Sequence, residues 1–134
     1  MYTIRPRGIR GVVELLKKMR QLGMKTALAS SSSREDVVYE MSRLGALEYF
    51  DAVICGDQVT KSKPDPEIFI KAAGLLGLDP SVCIGLEDSF NGVKACKAAG
   101  LYTVMVPDIL QPDDEIKKIP DVIVGSLEDV MELL

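Results

Sequence analysis

Apolar residues alternate along the chain between two spacings, one typical of a helix face and one typical of a buried strand. Between residues 9 and 22 they recur at helical spacing, with charged and polar side chains between them, and Gly23 provides a helix stop. The short run 25–29 that follows predicts a strand. The serines at 30–33 then predict a turn from which a serine can cap the next helix.

The same order of helix and strand continues along the rest of the sequence. We expect helices over residues 34–44, 66–76, 89–99 and 127–134, and strands over residues 52–55, 82–86, 102–106 and 121–124. Asp65 is the expected N-cap of the second of these helices, with Pro66 at its first helical position. This alternation predicts an α/β fold: a doubly wound, mostly parallel sheet in a three-layer sandwich.

Composition and charge restrict the classes of function. The 134 residues fit one domain, and 47% hydrophobic with 27% charged residues argues against disorder. A net charge of −4 without a basic run argues against nucleic acid as a partner, and no apolar run approaches the ~20 residues of a membrane span. The N-terminal residues lack the apolar core of a signal peptide, so we expect a cytoplasmic protein.

The sequence contains no histidine, which removes Ser-His-Asp and Cys-His catalysis and histidine-based zinc sites. Acid–base chemistry must then come from carboxylates or lysines, and any metal must be a hard cation that prefers oxygen ligands. Cys55, Cys83 and Cys96 form no C-x-x-C pair, and we expect them to be buried, reduced thiols. A nucleophilic cysteine is poorly supported by its sequence neighbours.

Candidate functional residues follow three of the predicted strands. Ser30 comes directly after the first strand, Lys63 lies in the long loop after the second, and Glu87-Asp88 ends the third. Ligands of a doubly wound sheet bind beyond the carboxyl ends of its strands, so we expect these residues to meet at one rim. Two adjacent carboxylates suit Mg²⁺, while a serine and a lysine suit a phosphate group.

Each candidate also has a plainer interpretation. The acid pair taken alone favours a helix N-cap at Asp88 or Ser89, whereas its wider sequence context favours a metal site. Lys63, which the following proline holds in an extended conformation, could still be a solvated surface lysine, and Lys61 is a weaker candidate by position. Ser30 could be an ordinary turn or capping serine.

Taken together, these segments resemble the haloacid dehalogenase (HAD) superfamily, and specifically its β-phosphoglucomutase-like phosphatases and mutases. Residues 27–32 are similar to the second motif of that family and residues 62–69 to its third. Residues 85–89, with Gly92 and the Ala-Ala-Gly at 98–100, are similar to its fourth. The order and spacing of the motifs agree as well, so the resemblance covers nearly the whole chain.

The resemblance implies a function and a role for each candidate. The implied reaction is Mg²⁺-dependent phosphoryl transfer to or from a small phosphorylated metabolite, through an aspartyl-phosphate. Ser30 and Ser31 would bind the phosphate, and Lys63 would act in catalysis by bridging the phosphate and the nucleophile. Glu87 and Asp88 would hold Mg²⁺.

One part of the family pattern has no match. The first motif, D-x-D-x-T/V on the leading strand, supplies the nucleophile and the general acid–base, and nothing in residues 1–7 resembles it. The sequence starts where the helical cap of the family normally ends. We therefore expect residues 1–134 to form a partial HAD-like, Rossmann-like core domain without the leading strand and the cap, and to be inactive alone.

Two functions and two ways of completing the sheet remain open. The chain is either part of a phosphatase or phosphomutase, or a degenerate, non-catalytic relative that acts by binding or self-association. The family places the leading strand between the strands at 25–29 and 82–86, so its absence would expose backbone groups inside the sheet. We expect either that these two strands pair directly, or that a second copy of the chain or a complementing segment fills the space.

Overall fold

Helices and strands alternate in the order that the hydrophobic pattern predicts. A computed structural model describes residues 11–107 and 111–134. Within these ranges the strands are β1 (Ala27–Ala29), β2 (Ala52–Ile54), β3 (Ile84–Glu87), β4 (Tyr102–Met105) and β5 (Val122–Ile123). The helices are α1 (Val12–Gln21), α2 (Arg34–Arg43), α3 (Glu67–Leu75), α4 (Phe90–Ala99) and α5 (Leu127–Leu133). The predicted start of the first helix at residue 9 lies outside the described residues.

The strand pairs are parallel, as predicted for helix-connected strands. Strand β1 pairs with β2, and β4 lies between β3 and β5. All three pairings are parallel, with Leu28 opposite Val53 in the first and Leu86 opposite Val104 in the second. The prediction of a mostly parallel α/β fold is therefore confirmed.

Side chains of the same strand alternate between two hydrophobic layers. Leu28 packs in a cluster with Leu15 of α1. The same cluster contains buried residues of α2 and α5. Ala27 and Ala29 point to the opposite face, where they pack in a cluster with Phe69 of α3 and residues of α4. This period of two is the normal geometry of a strand, and here it covers both faces of the sheet with helices.

Helix α4 approaches β3 closely because position 85 has no side chain. A Cβ atom on Gly85 would overlap the Sγ atom of Cys96, which lies in α4 and is fully buried. The hydroxyl of Thr103 in β4 also contacts this sulfur, at 3.4 Å. Gly85 and Cys96 therefore share one packing volume at the helix–sheet interface.

Of the two predicted ways of completing the sheet, direct pairing of the strands at 25–29 and 82–86 is contradicted by the fold. In the described residues β1 takes its backbone hydrogen bonds from β2, while β3 pairs with β4. Where β1 and β3 end, a side chain links them instead: the Nζ atom of Lys63 lies 3.5 Å from the carbonyl oxygen of Ala29 and 2.9 Å from a carboxylate oxygen of Glu87. The alternative, a second chain or segment between the strands, stays a prediction.

Strand β3 begins later than the apolar run suggests. Residues Pro80–Val82 form a 3-10 turn, because the carboxylate of Asp79 accepts a hydrogen bond from the backbone N–H of Ser81 at 2.9 Å. Val82 is 69% exposed as a result, although its residue type favours a strand. The cap at Asp79 is a local interaction that outweighs this propensity.

Helix α3 also begins one residue later than predicted. Pro66 occupies the N-cap position rather than the first helical position, and the helix starts at Glu67. The carboxylate of Asp65 still accepts a hydrogen bond from the N–H of Glu67, at 3.0 Å. The prediction of Asp65 as the N-cap is therefore wrong by one residue, although its carboxylate still accepts from the first N–H of the helix.

The helices of the two described ranges are short. None of them is long and apolar enough to cross a membrane.

Candidate functional site

The serine turn after β1 is anchored by its backbone to the loop after β2. The N–H of Ser30 donates to the carbonyl of Ile54 at 3.0 Å, which extends the β1–β2 pairing by one step. The N–H of Gly56 then donates to the carbonyl of Ser32 at 2.9 Å. Ser30 is 4% exposed, and its Oγ atom accepts from the N–H of Ser32 at 3.2 Å. The turn is therefore fixed in place before any ligand binds.

Gly56 permits the close approach of these two loops. A Cβ atom at position 56 would overlap the carbonyl oxygen of Ser31, a backbone atom that cannot rotate away. Asp57, the next residue, accepts a hydrogen bond from the N–H of Arg34 at 3.3 Å. The loop after β2 thus determines where Ser31 lies, a role for Gly56 and Asp57 that the sequence analysis missed.

Helix α2 points its N-terminus toward the same rim. Ser33 is its N-cap and accepts a hydrogen bond from the N–H of Asp36 at 3.3 Å, so a serine of the run does cap the helix, as predicted. Ser31, two residues earlier, is exposed. A helix N-terminus carries partial positive charge and favours an anion beside it, which agrees with a phosphate near Ser30 and Ser31.

Lys63 reaches this rim from the loop after β2, and three groups surround its ammonium. Its Nζ atom donates to Glu87 Oε2 at 2.9 Å and to the carbonyl oxygen of Ala29 at 3.5 Å. It also lies 5.2 Å from the centre of the Phe69 ring. The side chain is only 10% exposed, so Lys63 is not a solvated surface lysine. The carbonyl that it contacts belongs to the residue directly before Ser30.

Glu87 is buried beneath the N-terminus of α4. One carboxylate oxygen accepts hydrogen bonds from the N–H groups of Asp88 and Ser89, at 3.0 and 3.2 Å, and from the Ser89 hydroxyl at 3.3 Å. The other oxygen faces Lys63. With 3% exposure, Glu87 is an ionic partner of Lys63 inside the protein. Ser89, not Asp88, is the N-cap of α4, and it accepts from the N–H of Gly92 at 3.0 Å.

The donor set at this rim fits part of a Mg²⁺ site. Asp88 is half-buried next to Glu87, and carboxylate oxygens are the protein ligands that Mg²⁺ prefers. In residues 11–107 and 111–134, however, no three His, Cys, Asp or Glu side chains form a cluster that could hold a metal. Mg²⁺ usually keeps several waters and takes further oxygens from substrate phosphate, so one or two carboxylates are compatible with it.

Hydrogen bonds to the Glu67 carboxylate hold the loop that carries Lys63. The Glu67 carboxylate accepts hydrogen bonds from the N–H of Thr60 at 2.8 Å, from the Thr60 hydroxyl, and from the N–H of Lys61 at 3.1 Å. It also pairs with Lys71 at 3.1 Å. The hydrogen bonds from Thr60 are the main reason why the pKa of Glu67 falls to about 2. Lys61, the weaker candidate, donates only its backbone N–H to Glu67, and its side chain is exposed.

The lowered pKa of Glu67 gives a prediction for pH dependence. A carboxyl whose pKa is lowered by folding stabilises the protein above its unfolded pKa, and this contribution disappears as the pH falls toward the folded value. Glu67→Gln should therefore lower the urea midpoint at pH 6, and the difference from wild type should shrink between about pH 4.5 and 2. Urea denaturation across this range measures the effect.

The matched control for this prediction is Glu48→Gln, which changes an exposed glutamate of the 3-10 turn Leu47–Tyr49. A difference between wild type and Glu67→Gln that stays constant from pH 6 to pH 2 would contradict the role assigned to the ionised carboxylate.

The three cysteines are free and buried. Burial raises the pKa of Cys55 and Cys83 above its usual value, and that of Cys96 to about 11. A raised pKa disfavours the thiolate that a nucleophile requires. This confirms the interpretation of the cysteines as structural thiols.

The chain is similar to known phosphatases and mutases over most of its length. The family model for haloacid dehalogenase-like hydrolases matches residues 5–106. Hexitol phosphatase B of Escherichia coli K12 is 32% identical over 120 residues, which are 90% of this chain and 54% of that protein.

Two solved structures share the fold. CbbY from Rhodobacter sphaeroides, in complex with phosphate, superposes with a TM-score of 0.82 at 30% identity, covering 96% of this chain and 56% of that one. β-Phosphoglucomutase from Clostridium difficile does so with a TM-score of 0.78 at 28% identity, covering 92% and 55%. The chain thus spans about half the length of these proteins. It belongs to the haloacid dehalogenase-like hydrolases, and its relatives lie in their β-phosphoglucomutase-like group.

Proposed function

We propose that this chain forms the phosphate-binding part of a Mg²⁺-dependent phosphatase or phosphomutase that acts on a small phosphorylated metabolite. The observation that carries the proposal is the position of Lys63. Its ammonium lies at the carboxyl ends of β1 and β3, against the carbonyl that precedes Ser30. Phosphoryl-transfer sites work mainly by positioning and by charge stabilisation, and this rim offers both.

Each residue has a defined task in this proposal. The hydroxyl of Ser30 and the N–H and hydroxyl of Ser31 orient the phosphate, next to the positive end of α2. Lys63 neutralises charge on the transferring group, and Glu87 keeps the ammonium aimed at it. Asp88, with Glu87 beside it, would hold Mg²⁺, which when bound supplies further positive charge to the phosphoryl oxygens.

The nucleophile is assigned to a segment outside these 134 residues. No D-x-D-x-T/V segment occurs in the sequence, and the family resemblance places the attacking aspartate there. We therefore expect the 134-residue chain to need that segment for turnover. The relatives act on phosphorylated compounds, which supports a small phosphorylated substrate here.

The test is Mg²⁺-dependent hydrolysis of p-nitrophenyl phosphate by a longer protein that includes the upstream coding sequence. Lys63→Ala should lower kcat/KM of that protein by about 100-fold or more, the usual cost of losing one charge-stabilising group. The exposed Lys17→Ala is the matched control and should leave turnover unchanged. Circular dichroism confirms that each variant is folded at the assay temperature.

Two outcomes would overturn parts of this proposal. If the longer protein shows no phosphatase or mutase turnover, the enzyme assignment fails. Glu87-dependent turnover by the 134-residue chain alone would instead show that the nucleophile lies within it.

The missing first motif also favours a second candidate, a non-catalytic relative that binds phosphate or associates with itself. Calorimetric titration with inorganic phosphate and size-exclusion chromatography distinguish this candidate. It gains support if phosphate binds, or a dimer forms, while the longer protein remains inactive.

A further inference from the structure

Gly92 lies opposite the buried carboxylate of Glu87, at the third position of α4. A Cβ atom at Gly92 would overlap the carboxyl carbon of Glu87 and its Oε2 atom. That oxygen is the one that accepts the hydrogen bond from Lys63. The space left by the missing side chain is thus occupied by the group that holds the lysine.

The need for glycine at this position is steric, not conformational. Among the described glycines, those with a positive φ are at positions 11, 23, 45, 77 and 100, so Gly92 has a backbone that alanine also adopts. Glycine is a poor helix former, and alanine would ordinarily be favoured in α4. Gly74 in α3 makes a direct comparison, because nothing lies within 4 Å of a Cβ built there.

We propose that Gly92 is a positioning residue for Lys63, acting through Glu87. A Cβ at position 92 displaces the Glu87 carboxylate, and Lys63 then loses the partner that keeps its ammonium at the end of β1. This deepens the proposed function, since it assigns to a helix glycine the placement of the charge that meets the phosphate. It concerns the position of the lysine, which can be measured without any turnover.

The main test is a double-mutant cycle in the 134-residue chain, formed by Gly92→Ala, Glu87→Ala and the double variant. With Glu87 present, Gly92→Ala should lower the urea midpoint. With Glu87 replaced by alanine, the same change should raise it, because the clash is gone and alanine favours the helix. Gly74→Ala is the matched control and should raise the midpoint in both backgrounds.

A second measurement reports on Lys63 itself. The rate of reductive methylation of each lysine, followed by mass spectrometry, depends on how often its amine is exposed. Gly92→Ala should raise the rate at Lys63 by about 10-fold relative to the exposed Lys17, a coupling of ordinary size for groups in contact. In the Glu87→Ala background the rate at Lys63 should already be high, and Gly92→Ala should not raise it further.

The results separate a positioning role from a merely structural one. If Gly92→Ala fails to fold while the double variant folds, the clash with Glu87 is confirmed. A loss of stability of equal size in both backgrounds, or an unchanged methylation rate at Lys63, would overturn the proposal. The effect of Gly92→Ala on the urea midpoint can reverse between the two backgrounds even if the longer protein shows no turnover. In that case Gly92 remains a positioning residue for Lys63, and only the proposed enzymatic function is rejected.

Discussion

Replacing Phe69 with alanine should lower the free energy of unfolding by about 4 kcal/mol, within the range observed when a buried phenylalanine is truncated. The Phe69 ring is fully buried, in the layer between α3 and the sheet. Removing it leaves a cavity beneath β1 and also removes the aromatic face under the ammonium of Lys63. Urea denaturation at neutral pH, followed by circular dichroism, measures the change.

The neighbouring Ile70 provides the control, because it is 50% exposed on the same helix. Ile70→Ala should cost about 0.5 kcal/mol or less, as surface substitutions usually do. If Phe69→Ala and Ile70→Ala had equal effects, the helical layer on this face of the sheet would not be packed as described.

Replacing Lys63 with methionine should lower the free energy of unfolding by about 3 kcal/mol, the lower end of the range for breaking a buried ion pair. Methionine keeps most of the length of the side chain but removes the charge, and it leaves the carboxylate of Glu87 without this ammonium at 3% exposure. The hydrogen bonds that Glu87 accepts from Asp88 and Ser89 remain, which limits the loss.

Two variants check the origin of this loss. Adding Glu87→Gln to Lys63→Met removes the buried negative charge that has lost its ammonium, and should recover a large part of the stability. Lys97→Met breaks a lysine–carboxylate pair with Asp121 at 2.7 Å, but Lys97 is 46% exposed there, so its cost should stay within about 1 kcal/mol. If both lysine substitutions cost the same, burial is not what makes the Lys63 pair important.

The order of elements and the position of the rim could be predicted from the sequence because both depend on local patterns. The helical spacing of Leu15, Leu16 and Met19 can be recognised from a period near 3.6 residues. A short apolar strand such as β1 can be recognised from the turn residues that flank it. Parallel strands then place Ser30, Lys63 and Glu87 at one end of the sheet. The hydrogen bonds of Lys63 to Ala29 and Glu87 agree with that placement.

The roles of individual side chains depend on contacts that no local pattern records. The acid pair at 87 and 88 predicts two metal ligands, but no local pattern records that Glu87 also pairs with Lys63, 24 positions away in sequence. Gly56 owes its importance to the backbone of Ser31, which approaches only when β1 and β2 pair. Of the two alternatives for completing the sheet, direct pairing of β1 with β3 is contradicted in the described residues, because sequence patterns give strands but not their neighbours.

The shared packing volume of Gly85 and Cys96 has a consequence for the evolution of this interface. Since the sulfur of one residue occupies the place of the missing Cβ of the other, neither position can gain atoms unless the other loses them. In an alignment of relatives, the two columns should covary: alanine or a larger residue at position 85 should occur with a residue smaller than cysteine at position 96. Substitutions should therefore become fixed there in pairs, although the residues are 11 positions apart and lie on different elements.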